Sequence, residues 1–276
     1  MASPDPAVPA NDPALGWGDA AVVADWHTLA AEGPEPPLRC WWARPRDQAP
    51  RAAILVLPEV FGINGWVRSV AERLASQGYA ALAMPLFART APDLELDYSA
   101  ASLQEGRSHK ERTRTDQLLV DCGRAVTWLQ GQRPGLAVGC VGFCFGGHAA
   151  LLAATLPSIG ATCDFYGAGV ATGRPGGGPP SLALVPAVQG RLLCVCGTQD
   201  PLIPSEDVAA IGAALAAVPR GVDTGMERGA GREAPHQLLR LEAGHGFLCE
   251  ARADFQPEAA REGWRAMLSW FEDNLP

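Results

Sequence analysis

The residue best suited to chemistry in this sequence is Cys144, in the segment Gly142-Phe-Cys-Phe-Gly146 between a predicted strand and a predicted helix. Glycines two residues before and two residues after it allow strand and helix to approach through a sharp turn that exposes the side chain. The helix N-terminus favours a thiolate and offers backbone N–H groups to an oxyanion. The segment therefore predicts a nucleophile, whereas the other seven cysteines are predicted to be core residues, the usual place of a free thiol.

An acid and a histidine follow Cys144 in the order that such a nucleophile requires. Asp200 and His245 each come just after a predicted strand. His245 is predicted to take the thiol proton, and Asp200 to fix the tautomer of the imidazole. The alternatives are an ordinary turn residue at position 200 and an ordinary loop residue at position 245. The remaining histidines fit the role less well; they are His27, His109, His148 and His236.

These residues need a scaffold of alternating strands and helices, and the sequence predicts one. The continuous apolar run at 52–57 is typical of a strand that is buried on both faces. Further strands are predicted at 38–43, 79–84, 137–142, 160–166, 191–196 and 236–242, and helices at 66–77, 116–130, 147–156, 205–217 and 257–274. This alternation predicts an α/β fold with a mainly parallel central sheet, helices on both faces and ligand chemistry at the carboxyl ends of the strands.

The organisation of the chain is predicted to be simple. Residues 1–20 are rich in Pro, Asp and Ala without an apolar period, which predicts a flexible N-terminal arm, and residues 21–276 are predicted to form a single domain. Three segments carry no clear periodicity. They are a polar stretch at 90–114, predicted to cross over or cover the site, a Gly/Pro-rich loop at 167–189 near its rim, and an insertion at 219–235.

Composition narrows the possible partners. The chain has 276 residues, of which 47% are hydrophobic and 19% charged, as expected of a globular protein. Its formal net charge of −8 argues against nucleic acid and anionic membranes as partners. The absence of a signal peptide or apolar span, and cysteines without the spacing of a secreted disulfide framework, predict a cytoplasmic protein. A small-molecule substrate is expected, with the chain a monomer or a weak homodimer.

Four motifs in a fixed order give the chain a family resemblance. They are Leu57-Pro-Glu-Val-Phe-Gly-Ile-Asn64, Gly142-Phe-Cys-Phe-Gly-Gly147, Gly197-Thr-Gln-Asp-Pro201 and Gly244-His-Gly-Phe247. From about residue 35 to the C-terminus, the chain resembles the dienelactone hydrolases (carboxymethylenebutenolidases). The resemblance implies an α/β-hydrolase fold and a triad of Cys144, Asp200 and His245, without a metal or organic cofactor. It implies opening of a dienelactone to maleylacetate, with another small ester or lactone as the alternative.

The resemblance also implies roles for residues near the nucleophile. Glu59 would contact the resting thiol and move aside as substrate binds, although a buried carboxylate could instead belong to a structural ion pair. The backbone N–H groups of Val60 and Phe145 would form the oxyanion hole. Family members hold a substrate carboxylate with arginines, but the expected one shortly after the histidine is missing here. Three candidates could replace it, namely Arg89, Arg107 and Arg252.

Two functions other than hydrolysis are alternatives for this sequence. A non-catalytic binding protein would be expected to have lost a triad member, and none is lost. A thiol redox protein would use Cys144 with a resolving cysteine, but Cys140 is predicted to be buried in the preceding strand. The pair Cys194-Val-Cys196 is predicted to pack in the core, because it lacks a second pair of metal ligands.

Overall fold

The computed structural model describes residues 13–219 and 235–275. Its strands are β1 Val22–Leu29, β2 Leu38–Pro45, β3 Ala53–Leu57, β4 Ala80–Ala83, β5 Val138–Phe143, β6 Ile159–Phe165, β7 Arg191–Gly197 and β8 His236–Leu241. Its α-helices are α1 Gly65–Ser76, α2 Ala100–Glu111, α3 Thr115–Gly131, α4 Phe145–Ala153, α5 Ser205–Ala217 and α6 Pro257–Asn274. The strands form one sheet in the order β1-β2-β4-β3-β5-β6-β7-β8. Strand β2 runs antiparallel to both neighbours, and the strands from β4 to β8 are parallel.

The central strand β3 shows how the two faces of the sheet are buried. All of its residues are buried, and successive side chains point to opposite faces. Ile54 and Val56 belong to a core cluster with residues of α1 and α6. Leu55 and Leu57 belong to a second cluster with residues of α3 and α4. The predicted mainly parallel sheet between helical layers is therefore confirmed. None of the described helices is both long and apolar enough to cross a membrane.

The prediction of a flexible arm over residues 1–20 is wrong for residues 13–20. Leu15 is buried, the N–H of Gly18 donates to Ser76 Oγ at 2.8 Å, and the N–H of Ala20 donates to the Ser76 carbonyl at 3.0 Å. This segment leads directly into the edge strand β1, which the sequence did not predict. Most of β1 is only half-buried, so it lacks the apolar alternation on which a prediction depends. Residues 1–12 lie outside the described residues.

The polar stretch at 90–114 contains helix α2, which its sequence pattern did not reveal. Among the residues of α2, only Gly106 and His109 are buried, so no apolar face marks the helix. Ser99 caps its N-terminus by accepting a hydrogen bond from the Ser102 N–H at 3.2 Å. A Cβ at Gly106 would overlap the carbonyl oxygen of Val60. Glycine therefore allows α2 to lie directly over the segment after β3.

Of the other two irregular segments, the structure describes only the first in full. The loop at 167–189 contains the short 3₁₀-helix Ser181–Ala187. Most of the insertion at 219–235 lies outside the described residues.

Asp164 is a buried acid below the turn that carries Cys144. It lies on β6 and is 2% exposed, and a Cβ at Gly147 or Gly167 would overlap its Oδ1. Burial raises the pKa of this carboxyl from 3.8 to about 7. Because the folded state holds the proton more tightly than the unfolded chain, the stability due to this group is present at acid pH and is lost as the pH rises through 7.

We therefore expect Asp164→Asn to stabilise the protein at alkaline pH but not at acid pH. The pKa difference corresponds to at most about 4 kcal/mol in the free energy of unfolding. Urea unfolding of both proteins at about pH 5 and pH 8 measures the effect. A stability difference that is the same at both pH values would contradict it.

Candidate active site

The turn between β5 and α4 presents Cys144 in a strained conformation. Its φ is 55° and its ψ is −117°, a region that non-glycine residues rarely adopt. A Cβ at Gly142 would overlap the carbonyl of Gly146, and one at Gly146 would overlap the carbonyl of Leu57. Both glycines are thus required by the close approach of strand, helix and β3, as the sequence predicts. Cys144 is half-buried, whereas the other seven cysteines are buried.

His245 and Asp200 lie together at the carboxyl ends of neighbouring strands. Asp200 follows β7, His245 follows β8, and His245 Nδ1 lies 2.7 Å from Asp200 Oδ2. The other carboxylate oxygen of Asp200 accepts a hydrogen bond from the Leu202 N–H at 2.8 Å. Because a carboxylate only accepts, this geometry requires a proton on Nδ1 of His245 and directs Nε2 away from Asp200.

The electrostatic environment of His245 favours its charged form. Burial alone would lower its pKa, but the hydrogen bond to Asp200 and the interaction with Cys144 outweigh burial and raise the pKa to about 10. Nε2 is buried and has no hydrogen-bond partner among the described residues. No described group therefore competes for a hydrogen bond at Nε2.

The side chains of Cys144 and His245 line a cavity of about 560 Å³. Its lining includes the apolar Val60, Phe61, Leu103 and Leu202 and the cationic Arg107, Lys110 and Arg252. In the described part of the chain, the N–H groups of Val60 and Phe145 have no hydrogen-bond acceptor. The oxyanion hole at these two N–H groups stays a prediction.

Glu59 forms an ion pair rather than the predicted contact with the thiol. Its Oε1 lies 2.9 Å from Arg252 Nη1, and Arg252 also lies 2.9 Å from Asp254. Glu59 is fully buried, and burial raises its pKa although Arg252 opposes that change. Its Oε2 has no hydrogen-bond partner among the described residues. The ion pair that the sequence left as an alternative is thus present, one residue away from Val60 at the cavity wall.

The structure separates the three candidate arginines. Arg107 and Arg252 line the cavity. Arg89 does not, which corrects the prediction that it binds substrate. Its guanidinium pairs with Asp121 and with Glu35, so its charge is already neutralised by two acids distant in sequence. No sequence motif near position 89 indicates those partners.

Tyr166 belongs to the site but was not singled out from the sequence. It directly follows β6, and its φ is 41°; among described non-glycine residues only Cys144 also has a positive φ. A hydrogen bond joins the two strained turns: the Cys144 N–H donates to the carbonyl of Phe165, the residue before Tyr166, at 3.1 Å. The Tyr166 ring packs edge-on against His245, with 5.2 Å between ring centroids. Its position at the carboxyl end of a predicted strand was the one available signal.

A metal site requires several ligating side chains grouped together. Over residues 13–219 and 235–275, no three or more His, Cys, Asp or Glu side chains are grouped so that they could hold a metal ion.

Comparisons with known proteins agree with this architecture. The family model described as "Dienelactone hydrolase family" matches residues 38–275. A protein of Synechocystis sp. named "Putative carboxymethylenebutenolidase" is 33% identical over 226 residues, which cover 80% of this chain and 86% of the relative. A protein of Bradyrhizobium sp. named "Probable 2-oxo-3-(5-oxofuran-2-ylidene)propanoate lactonase" is 29% identical over 257 residues, which cover 92% of this chain and 96% of the relative.

A solved structure also resembles this chain over most of its length. The crystal structure of a "Putative Dienelactone Hydrolase" from Klebsiella pneumoniae superposes with a TM-score of 0.77 at 25% identity, covering 91% of this chain and 99% of that one. The chain therefore belongs to the dienelactone hydrolase family and is a hydrolase with the α/β-hydrolase fold.

Proposed function

We propose that the protein opens a carboxylic ester or lactone through an acyl-enzyme on Cys144. The observation that carries this proposal is that the strained Cys144 lines one cavity together with His245, whose Nδ1 is hydrogen-bonded to Asp200. The raised pKa of His245 favours its imidazolium form, and this positive charge would stabilise the sulfur anion that attacks the substrate. No metal or organic cofactor is needed for these steps.

In the first half of the reaction, the Cys144 thiolate attacks the substrate carbonyl carbon and forms a tetrahedral intermediate. The N–H groups of Val60 and Phe145 stabilise its oxyanion. The intermediate collapses to a thioester as the carbon–oxygen bond breaks, and the His245 imidazolium protonates the departing oxygen. In a lactone, that oxygen stays attached to the acyl group, so the ring opens.

In the second half, neutral His245 takes a proton from a water molecule as the water attacks the thioester. Collapse of this intermediate releases the carboxylic acid and restores the Cys144 thiolate beside the protonated His245. Asp200 stabilises the imidazolium in both halves. The net change is the addition of one water molecule to the ester or lactone.

The substrate that we propose is a dienelactone, which hydrolysis converts to maleylacetate. The names of the relatives from Synechocystis sp. and Bradyrhizobium sp. support a lactone. Arg107 and Arg252 place positive charge in the cavity, which suits a substrate carboxylate. Another small ester or lactone is the alternative, favoured by the fact that Glu59 and Asp254 already partner Arg252.

The test is the steady-state rate on cis- and trans-dienelactone and on a short panel of activated esters. Turnover of dienelactone that falls in Arg107→Met and Arg252→Met supports the named substrate. If only simple esters are hydrolysed, the proposed hydrolase activity stands and dienelactone is excluded as the substrate. Loss of neither activity in a Cys144→Ala variant would exclude the proposed mechanism.

A second proposal concerns Glu59 as a modulator of the thiol. Its ion pair with Arg252 partly neutralises that arginine, whose positive charge interacts with Cys144. We therefore expect Glu59→Gln to make Cys144 react faster with iodoacetamide at acid pH, several-fold at about pH 6. Asp254→Asn, which removes the exposed partner of the same arginine, is the matched control and should have a smaller effect. Identical alkylation rates across the pH range in Glu59→Gln and wild type would remove this role.

A further inference from the structure

A second, smaller cavity adjoins the one that contains Cys144. The larger cavity has a volume of about 560 Å³ and the smaller one about 250 Å³. Lys110 of α2 lines both cavities, and so do Ala168 and Gly169 of the loop after β6. Because these three residues face both spaces, Lys110 stands at the boundary between the two cavities.

The size of the smaller cavity favours a subsite over an independent site. Sites for small molecules usually have a volume of about 300–1,000 Å³. The smaller cavity falls below this range, whereas the larger one lies within it. The smaller cavity therefore suits one end of a ligand whose reactive end lies beside Cys144.

The charges around the smaller cavity favour an anion. Lys110, the only lysine in the sequence, has its Nζ 5.5 Å from the centroid of the Phe145 ring. Within the described residues, no carboxylate forms an ion pair with Lys110. On the other side, Arg174 donates from Nη2 to the Pro180 carbonyl at 3.2 Å, and its buried Nε has no acceptor among the described residues. Glu111 is the one acid in the lining, and it is exposed.

The wall between the cavities is held in place by His148 of α4. Its Nδ1 lies 3.1 Å from the Ala168 carbonyl, and its Nε2 lies 2.7 Å from Ser181 Oγ. Burial lowers the pKa of His148 to about 4, so the ring is neutral at neutral pH. Since a carbonyl can only accept, Nδ1 donates to Ala168 and Nε2 accepts from Ser181. These bonds connect the loop at 167–189 to the helix that begins after Cys144, so both cavities share a formed wall.

We propose that the smaller cavity is an anion subsite of the same active site, which takes the carboxylate end of an extended ester between Lys110 and Arg174. This inference rests on the proposed function, because it assigns the far end of a substrate whose reactive carbonyl lies at Cys144. A linear dicarboxylic half ester has the required chemistry, with an ester at one end and a carboxylate at the other.

The kinetic test uses 4-nitrophenyl half esters of linear dicarboxylic acids with chains of about four to eight carbons. Each is compared with the neutral ester in which a carboxamide replaces the free carboxylate. We expect kcat/KM to favour the carboxylate by about tenfold at one chain length, the size of a charge-assisted hydrogen bond. Lys110→Met and Arg174→Gln should each reduce that preference several-fold, while Arg133→Met, an exposed cation outside both cavities, should leave it unchanged. Equal rates on both esters at every chain length, or a preference that survives in both variants, would overturn the inference.

A binding measurement separates this inference from the proposed function. Reductive methylation with ¹³C-formaldehyde labels Lys110 as the single lysine side chain and retains its charge. In Cys144→Ala, titration with adipate should shift the Lys110 methyl signals, hexanamide should not, and Arg174→Gln should weaken the adipate response. If no ester is hydrolysed but these shifts occur, the proposed function fails and the anion site stands. If esters are hydrolysed and adipate leaves the Lys110 signals unmoved, the anion subsite fails.

Discussion

Cys144→Ala is expected to lower kcat/KM by about 10⁴-fold or more for every ester or lactone that the wild-type protein hydrolyses. Without the thiol no thioester can form, and the remaining His245 and Asp200 have no nucleophile to activate. The wild-type protein should gain the mass of the acyl group when a slowly deacylated ester is added, and the variant should not. Steady-state rates and intact-protein mass spectrometry measure the two effects.

Cys122→Ala is the matched control, since Cys122 is a buried cysteine of α3 and does not line the cavity. Its activity should stay within about twofold of the wild type, apart from any loss of stability through the cavity that it creates. Wild-type turnover by Cys144→Ala would show that another group attacks the carbonyl. A disulfide that forms between Cys144 and a second cysteine under mild oxidant would instead favour the redox alternative.

Asp200→Asn is expected to lower kcat/KM by about 10³- to 10⁴-fold. Asn can place an N–H where His245 requires an acceptor, so the imidazole would adopt the wrong tautomer. The pH dependence should change as well. Asp200 helps to raise the pKa of His245 to about 10 against the opposing effect of burial, so its replacement should move the alkaline limit of imidazolium formation to lower pH.

The measurement is the residual rate of Asp200→Asn over a range of about pH 5 to 10, together with the pH dependence of Cys144 alkylation. Glu206→Gln removes one negative charge from an exposed position in the first turn of α5, and should leave the profile unchanged. An Asp200→Asn profile with the same limits as the wild type would mean that Asp200 does not govern the charge of His245.

The sequence predicted the parts of the site that follow from local rules. The sharp turn around Cys144 needs glycine at positions 142 and 146, and both lie within one segment of five residues. Asp200 and His245 each follow a predicted strand, and the carboxyl ends of parallel strands meet at one edge of the sheet. Their proximity therefore followed from topology alone, although the 2.7 Å contact did not.

The sequence was least informative where elements lack an apolar pattern. Strand β1 is half-buried at the sheet edge, and α2 buries only Gly106 and His109. Helix α2 nevertheless carries Arg107 and Lys110 to the cavity. Its placement depends on the close approach of Gly106 to the Val60 carbonyl, a contact between distant segments that hydrophobic periodicity does not describe.

The chain by itself thus determined the α/β-hydrolase fold, the order of Cys144, Asp200 and His245, and the membership of residues 38–275 in the dienelactone hydrolase family. Only the tertiary structure decided which charges face the cavity. It paired Arg89 with Asp121 and Glu35, and it paired Arg252 with Glu59. The physical reason is that a motif depends on backbone geometry within a few residues, whereas the partner of a long charged side chain depends on which distant segments pack beside it.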